Sequence, residues 1–169
     1  MIIDLDMEKC VSCGACAVAC MDQNDTDPLN GDVPFRSVYT LEEQVGERIR
    51  YTNLSMACMH CADAPCVAGC PTASLRKDPD SGLILYDPIN CIGCHSCAMA
   101  CPFGIPSFNA RDKLTKCDGC IQRVRAGLTP ACVRICPFGA LSVYATQEEY
   151  LSAKRKHSLQ TICRSLTER

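Results

Sequence analysis

Apolar positions in this chain come in short runs separated by turn formers, a pattern of brief strands and helices rather than long ones. Residues 1–5 read as a strand, and the compact residues Ala15, Ala17, Val18 and Ala19 fit a short helix. The segment 22–57 opens on Asp25, Asp27, Pro28, Asn30, Gly31 and Pro34 and then offers two strand-like runs, 37–41 and 48–54, with a turn over 42–47 around Gly46. Residues 74–77 and 83–86 flank Asp78-Pro79-Asp80-Ser81-Gly82, which predicts a hairpin. Residues 103–116 read as irregular, and 140–144 as a strand. Thr146 with Glu149 forms a capping box, Thr as the cap and Glu three residues on, opening a helix over 147–169. On it Leu159, Ile162, Cys163 and Leu166 share one face, and Lys154, Arg155, Lys156 and Arg164 make it basic. The expected class is α+β, with short hairpins and a C-terminal amphipathic helix.

Composition changes the picture. The 169 residues are 47% hydrophobic, but 17 of them are cysteine, with no Trp, 4 Phe and 5 Tyr. Large rings supply most core area per residue, so something else must hold this fold. Metal bound to a site absent from the unfolded chain contributes folding free energy directly. A formal charge of -2 gives no case for nucleic acid. The first residues lack a basic stretch followed by an apolar one, and no run is long enough to span a bilayer. The expected address is therefore cytoplasmic and reducing, where thiols ligate metal instead of pairing as disulfides.

Sixteen of the cysteines fall into four groups: Cys10, Cys13, Cys16, Cys20; Cys58, Cys61, Cys66, Cys70; Cys91, Cys94, Cys97, Cys101; and Cys117, Cys120, Cys132, Cys136. The first and third have the C-x2-C-x2-C-x3-C run in which three thiolates hold one iron–sulfur cluster and the fourth reaches its neighbour. Zinc ribbons use separate Cys-x2-Cys knuckles and do not explain the further cysteines. Pro71, Pro102 and Pro137 directly follow the last cysteine of three groups, as in ferredoxins. Spacing leaves open which groups pair. The 74–86 hairpin argues for the second with the third, with the first and fourth bracketing them. His60 and His95 lie inside cluster loops that already have four cysteines, so both read as N–H donors to sulfur and not as ligands. Cys163 reads as a small buried hydrophobe and His157 as part of the solvated basic face. No dinucleotide fingerprint, P-loop or nucleophile with a base is present, so no catalytic residue is expected.

The order of the four groups, the Cys117-x2-Cys120-x11-Cys132-x3-Cys136-Pro137 spacing, and the run Met59-His60-Cys61-Ala62-Asp63-Ala64-Pro65-Cys66 resemble one family over residues 1 to about 145. It is the four-cluster ferredoxin-type electron-transfer subunit of molybdopterin oxidoreductases of the dimethyl sulfoxide reductase, formate dehydrogenase and formate hydrogenlyase types. The resemblance implies four [4Fe–4S] clusters held by Cys10, Cys13, Cys16, Cys136; by Cys20, Cys117, Cys120, Cys132; by Cys58, Cys61, Cys66, Cys101; and by Cys70, Cys91, Cys94, Cys97. It implies two nested bacterial-ferredoxin-like modules in a domain over 1–146. The outer module is 1–21 with 111–146, the inner one 54–110, and the hairpin segment 22–53 is inserted. A molybdenum or tungsten formate dehydrogenase-like catalytic subunit is the implied partner, together with a hydrogenase, as in a hydrogen-dependent carbon dioxide reductase, or other ferredoxin-like subunits. The competing expectations are a free polyferredoxin and a filament-forming conducting scaffold. The face of Leu159, Ile162, Cys163 and Leu166 either packs on its own domain or docks a partner or a second copy.

Overall fold

The computed structural model describes the backbone of residues 1–167 and the side chains through residue 163. Its elements in order are β1 (Ile2–Leu5), α1 (Ala15–Gln23), β2 (Ser37–Val45), β3 (Arg48–Met56), α2 (Pro65–Ala68), β4 (Leu75–Lys77) and β5 (Ile84–Tyr86). There follow α3 (Ser96–Ala100), β6 (Ser107–Phe108), β7 (Leu114–Thr115), α4 (Ile121–Arg125), α5 (Ala131–Ile135), β8 (Leu141–Tyr144) and α6 (Gln147–Thr167). The mixture of short helices and strands agrees with the α+β expectation.

All strands pair two by two and antiparallel: β1 with β8, β2 with β3, β4 with β5, and β6 with β7. The β1–β8 ladder, Ile2 opposite Tyr144 through Leu5 opposite Leu141, brings the beginning of the chain against residues near its other end. Everything from the first to the last cysteine group lies between those two strands. The apolar matter is aliphatic. Leu75, Ile84 and Leu114 pack with Cys91 and Cys97 in one cluster, Leu141 with Cys16 and Cys132 in a second, and Leu83, Leu85 and Ile121 in a third. Successive side chains of a strand point to opposite faces. The run from Leu83 into β5 therefore sends Ile84 into one core and Leu83 and Leu85 into another, and all three are buried. Among the described residues no buried side chain is aromatic. Phe103 and Phe138 stand roughly half exposed.

Two stretches differ from the sequence expectation. The β2–β3 strands continue to Val45 and resume at Arg48, so only Gly46 and Glu47 turn, where a wider turn over 42–47 was expected. Glu42, Glu43 and Gln44 look like turn residues because they are polar. They are instead strand residues of a hairpin exposed on both faces, with Glu43 ion-paired to Arg50 across the ladder. Gly46, at φ 63, supplies the left-handed backbone that the tight turn requires. The stretch 103–116 is not wholly irregular: β6 and β7 form a small hairpin in it. The Asn109 side-chain oxygen closes its turn by accepting the N–H groups of Arg111 and Lys113.

The capping box at α6 forms, though shifted by one residue at its return bond. Glu149 N–H donates to Thr146 Oγ1, while the Glu149 carboxylate accepts from the N–H of Ala145. The near end of α6 lies on β8 and β1. Tyr150 meets Tyr144 edge to face with ring centres 5.7 Å apart, and Lys154 Nζ reaches Asp4 at 2.7 Å. His157 stands 3.9 Å from Glu8, so acidic groups face the first half of the basic helix. Beyond it Leu159, Ile162 and Cys163 are exposed. The expectation that Cys163 is buried is thus corrected: a 21-residue helix extends past the small domain that covers its start. The Leu166 and Arg164 side chains lie outside the described residues.

Candidate metal centres

Each cysteine group begins with the same backbone device. The residue just before the second cysteine has a left-handed conformation in every one: Ser12 at φ 52, His60 at φ 45, Gly93 at φ 68 and Gly119 at φ 73. This reversal curls the loop so that N–H groups turn toward sulfur, as where Gly119 N–H points at Cys117 Sγ, 3.3 Å away. The later cysteines sit on or at the ends of short helices: Cys16 and Cys20 on α1, Cys66 on α2, Cys97 on α3 and Cys132 on α5. Cys101 and Cys136 close α3 and α5 as their C-terminal caps. After the last cysteine of groups two to four comes a second reversal, at Ala73, Gly104 and Gly139, each donating its N–H to the cysteine carbonyl three residues back. Group one has Met21 in place of proline, and there the helix simply runs on to Gln23.

These reversals aim backbone donors at the fourth sulfur. Burial works upward on the Cys136 thiol, but the N–H groups of Leu141, Ala140, Phe138 and Gly139 outweigh it and hold the thiol below its ordinary value. The same holds for Cys70, where the N–H groups of Leu75 and Thr72, the Thr72 hydroxyl and the Ser74 N–H overcome burial. A thiolate, the form that binds iron, is therefore favoured at both positions. At Cys20 nothing comparable offsets burial. Desolvation first, then the like charges of Cys117, Cys132 and Cys120, push its thiol up to about 12. Burial likewise drives Cys117 up to about 12.

Eight of the sulfurs line two apolar hollows, and the others lie near one another in smaller combinations. Cys10, Cys13, Cys16 and Cys136 line one apolar hollow with Leu5, Val38 and Leu141. Cys58, Cys61, Cys66 and Cys101 line another with Pro65, Ile84 and Pro102. Cys20 stands among Cys117, Cys120 and Cys132, each close enough to act on its ionisation. Cys70 acts in the same way on Cys94 and Cys97, and Cys91 on Cys97. Among the described residues no three His, Cys, Asp or Glu side chains converge on one point where a single ion fits. Four soft sulfurs standing around an apolar hollow suit the wider faces of an iron–sulfur cluster.

The two histidines part company. His60 is half-buried, its Nδ1 accepts the Ile84 N–H at 2.9 Å, and its Nε2 lies 3.8 Å from Cys117 Sγ. Burial, seconded by the charge of Lys116, lowers its pKa to about 3, so the ring is neutral. His95 does not take the expected place beside sulfur. It turns outward, hydrogen-bonds Asp112 at 2.7 Å and stacks on Phe108 with ring centres 3.8 Å apart.

Three polar residues near sulfur were not singled out from the sequence. Lys116 is 1% exposed, and its ammonium donates to the Ile84 and Cys117 carbonyls and to Cys58 Sγ. Arg36, also buried, donates to the Ser55 carbonyl and to Ser55 Oγ at 2.9 Å. Ser55 Oγ in turn lies 3.2 Å from Cys16 Sγ. The signal available was only that Lys116 abuts a cysteine, among otherwise mostly polar residues. Nothing local marks Arg36 as buried. The β2–β3 hairpin has a visible task here as well: Asn53 donates to the Cys10 carbonyl at 2.8 Å and accepts from Ser12 Oγ, clamping the first cysteine loop.

Comparison with known proteins supports the chemistry of the donor set. Residues 49–146 match the family described as 4Fe-4S dicluster domain. The chain is 38% identical over 153 residues to the probable anaerobic dimethyl sulfoxide reductase chain YnfG of Escherichia coli (strain K12), covering 85% of this chain and 73% of that one. It is 34% identical over 161 residues to the iron-sulfur subunit of nitrate-inducible formate dehydrogenase from the same strain, covering 87% and 54%. It is also 34% identical over 175 residues to the hydrogenase-2 operon protein HybA of Escherichia coli O157:H7, covering 89% and 53%. The chain thus spans about half the length of the last two. No helix among the described residues is long and apolar enough to cross a membrane.

Proposed function

The chain belongs to the ferredoxin-type iron–sulfur subunits that carry the 4Fe-4S dicluster domain, and from that membership we propose that it is the non-catalytic electron-transfer subunit of a molybdenum- or tungsten-dependent oxidoreductase complex. [4Fe–4S] clusters are its cofactors. A cluster of this kind takes up and returns one electron at a potential that its surroundings set.

The observation that carries the reading is that Cys10, Cys13, Cys16 and Cys136 line one apolar hollow and Cys58, Cys61, Cys66 and Cys101 another, each with three cysteines of one group and one of a second. On this reading the sets are Cys10, Cys13, Cys16, Cys136; Cys20, Cys117, Cys120, Cys132; Cys58, Cys61, Cys66, Cys101; and Cys70, Cys91, Cys94, Cys97, one cluster each. Each set takes three cysteines from one group and one from another. Two nested modules follow, the outer closed by the β1–β8 ladder and the inner organised by β4–β5. The protein's residues then have three tasks. The looped N–H groups hold thiolates ionised, the Leu and Ile side chains keep water off the sulfurs, and the buried cations balance charge.

The partner we assign is a formate dehydrogenase-like catalytic subunit, with a hydrogenase or another redox protein receiving or supplying the electrons. Relatives in formate dehydrogenase and a hydrogenase operon support that choice. A second reading, docking or self-assembly through α6, is favoured by the exposure of Leu159 and Ile162. Oxygen-free affinity purification from the native host tests the proposal. Co-purification with a molybdenum- or tungsten-containing subunit supports it. Recovery of the chain alone, brown and monomeric, replaces it with a diffusible polyferredoxin.

A further inference from the structure

Two of the proposed cysteine sets are joined by side chains that the cluster-binding role itself does not require. Lys116 Nζ faces three acceptors: the Ile84 carbonyl, the Cys117 carbonyl at 2.7 Å and Cys58 Sγ at 3.8 Å. An ammonium carries three donors and no acceptor, so the surroundings match the charged form bond for bond. The Tyr86 ring stands 5.8 Å from Nζ on another side. The N–H of the same Ile84 is accepted by His60 Nδ1 at 2.9 Å. A ring nitrogen that accepts carries no proton, so the neutral imidazole holds its hydrogen on Nε2, 3.8 Å from Cys117 Sγ. Ile84 is therefore gripped at both ends of its backbone, and each gripping side chain also reaches a sulfur, Cys58 for Lys116 and Cys117 for His60.

We propose that Lys116 and His60 form a bridge between the set Cys58, Cys61, Cys66, Cys101 and the set Cys20, Cys117, Cys120, Cys132, and that it raises the reduction potential of both sites. The inference rests on the cysteine assignment given above. Uptake of one electron at either site adds one negative charge in a low-dielectric interior, where a fixed positive charge counts for far more than in water. Hydrogen bonds to the sulfurs act in the same direction. Lys116 offsets the added charge without a proton, and buried Arg36, whose charge also acts on Cys117, adds to the effect. These two sites become the electron-accepting pair of the chain.

The test is a redox titration of the anaerobically purified full-length protein, followed by electron paramagnetic resonance with iron counted in every sample. Lys116→Met removes the charge and keeps the length, Lys116→Arg restores the charge, and His60→Asn removes the ring while tolerating the left-handed backbone. Lys156→Met, exposed on α6, is the control. With iron unchanged, Lys116→Met is expected to lower two midpoints, each by at least about tenfold in the reduction equilibrium, about 59 mV for one electron. Lys116→Arg should recover most of that shift, and His60→Asn should lower one midpoint alone. Midpoints that stay in place in Lys116→Met at full iron content overturn the bridge. If Lys116→Met loses iron, His60→Asn decides, and an unmoved midpoint there is equally fatal. A wild-type protein with fewer than four irons per cysteine set instead refutes the assignment beneath it, before any variant is compared.

Discussion

The residue before the second cysteine of each group must adopt a left-handed backbone, and the chain meets that demand with Ser12, His60, Gly93 and Gly119. At Gly119 there is a second constraint. A Cβ there would lie 2.7 Å from Leu83 Cδ2, and Leu83 is fully buried. Gly119→Ala is therefore expected to destabilise the holo-protein by about 1–3 kcal/mol through overpacking, with backbone strain in addition. Anaerobic denaturant titration measures it, and a stability equal to wild type would refute the packing described for β5. Gly93 is held in the same way by Asp112, whose side-chain oxygen would stand 2.5 Å from an added Cβ. At this scale the cysteines were legible because their spacing is local. Lys116 and Arg36 were not, because their burial is made by β5 and Ser55, distant in sequence. His95 was misjudged since position inside the loop does not fix the direction of the ring.

Among the elements, the legible ones are those whose patterns repeat over several residues: β1, β8, the β4–β5 hairpin with its Asp-Pro-Asp-Ser-Gly turn, and the cap of α6. The β6–β7 hairpin escaped because two-residue strands carry no period. The ends of β2 and β3 escaped because a hairpin exposed on both faces has no alternation to read. The first half of α6 is tied down by the Lys154–Asp4 contact, and the Asp4 hydrogen bond raises the Lys154 pKa above its ordinary value against a smaller opposing effect of burial. A cation whose folded pKa is raised stabilises fully below the unfolded value, about 10.4 for lysine, and loses that contribution as pH climbs through the folded value. Docking of α6 is thus expected to hold through neutral pH and loosen above about pH 10.4. Lys154→Met should show the loosened state already at pH 7. Hydrogen exchange of the α6 amides reports it; exchange unchanged in Lys154→Met would mean that Tyr150 and Tyr144 suffice.

The whole molecule has little to fold around without its cofactors. Its buried apolar side chains are a modest set of Leu, Ile and Ala residues together with cysteines. Cys20 and Cys117, both driven up to about 12 by burial, are poor places for unligated thiolates. Iron removes that conflict, and its binding free energy becomes folding free energy. The metal-free chain is accordingly expected to lack fixed tertiary structure, with poor chemical-shift dispersion in its NMR spectrum. Well-dispersed native resonances would show that the aliphatic clusters carry the fold alone. The measurement that bears most directly on the account is the iron and acid-labile sulfide content of the anaerobically purified chain. Four sets of four cysteines predict about sixteen of each per chain, as cubane clusters. Zinc in place of iron, or iron sufficient for only two clusters, would contradict it.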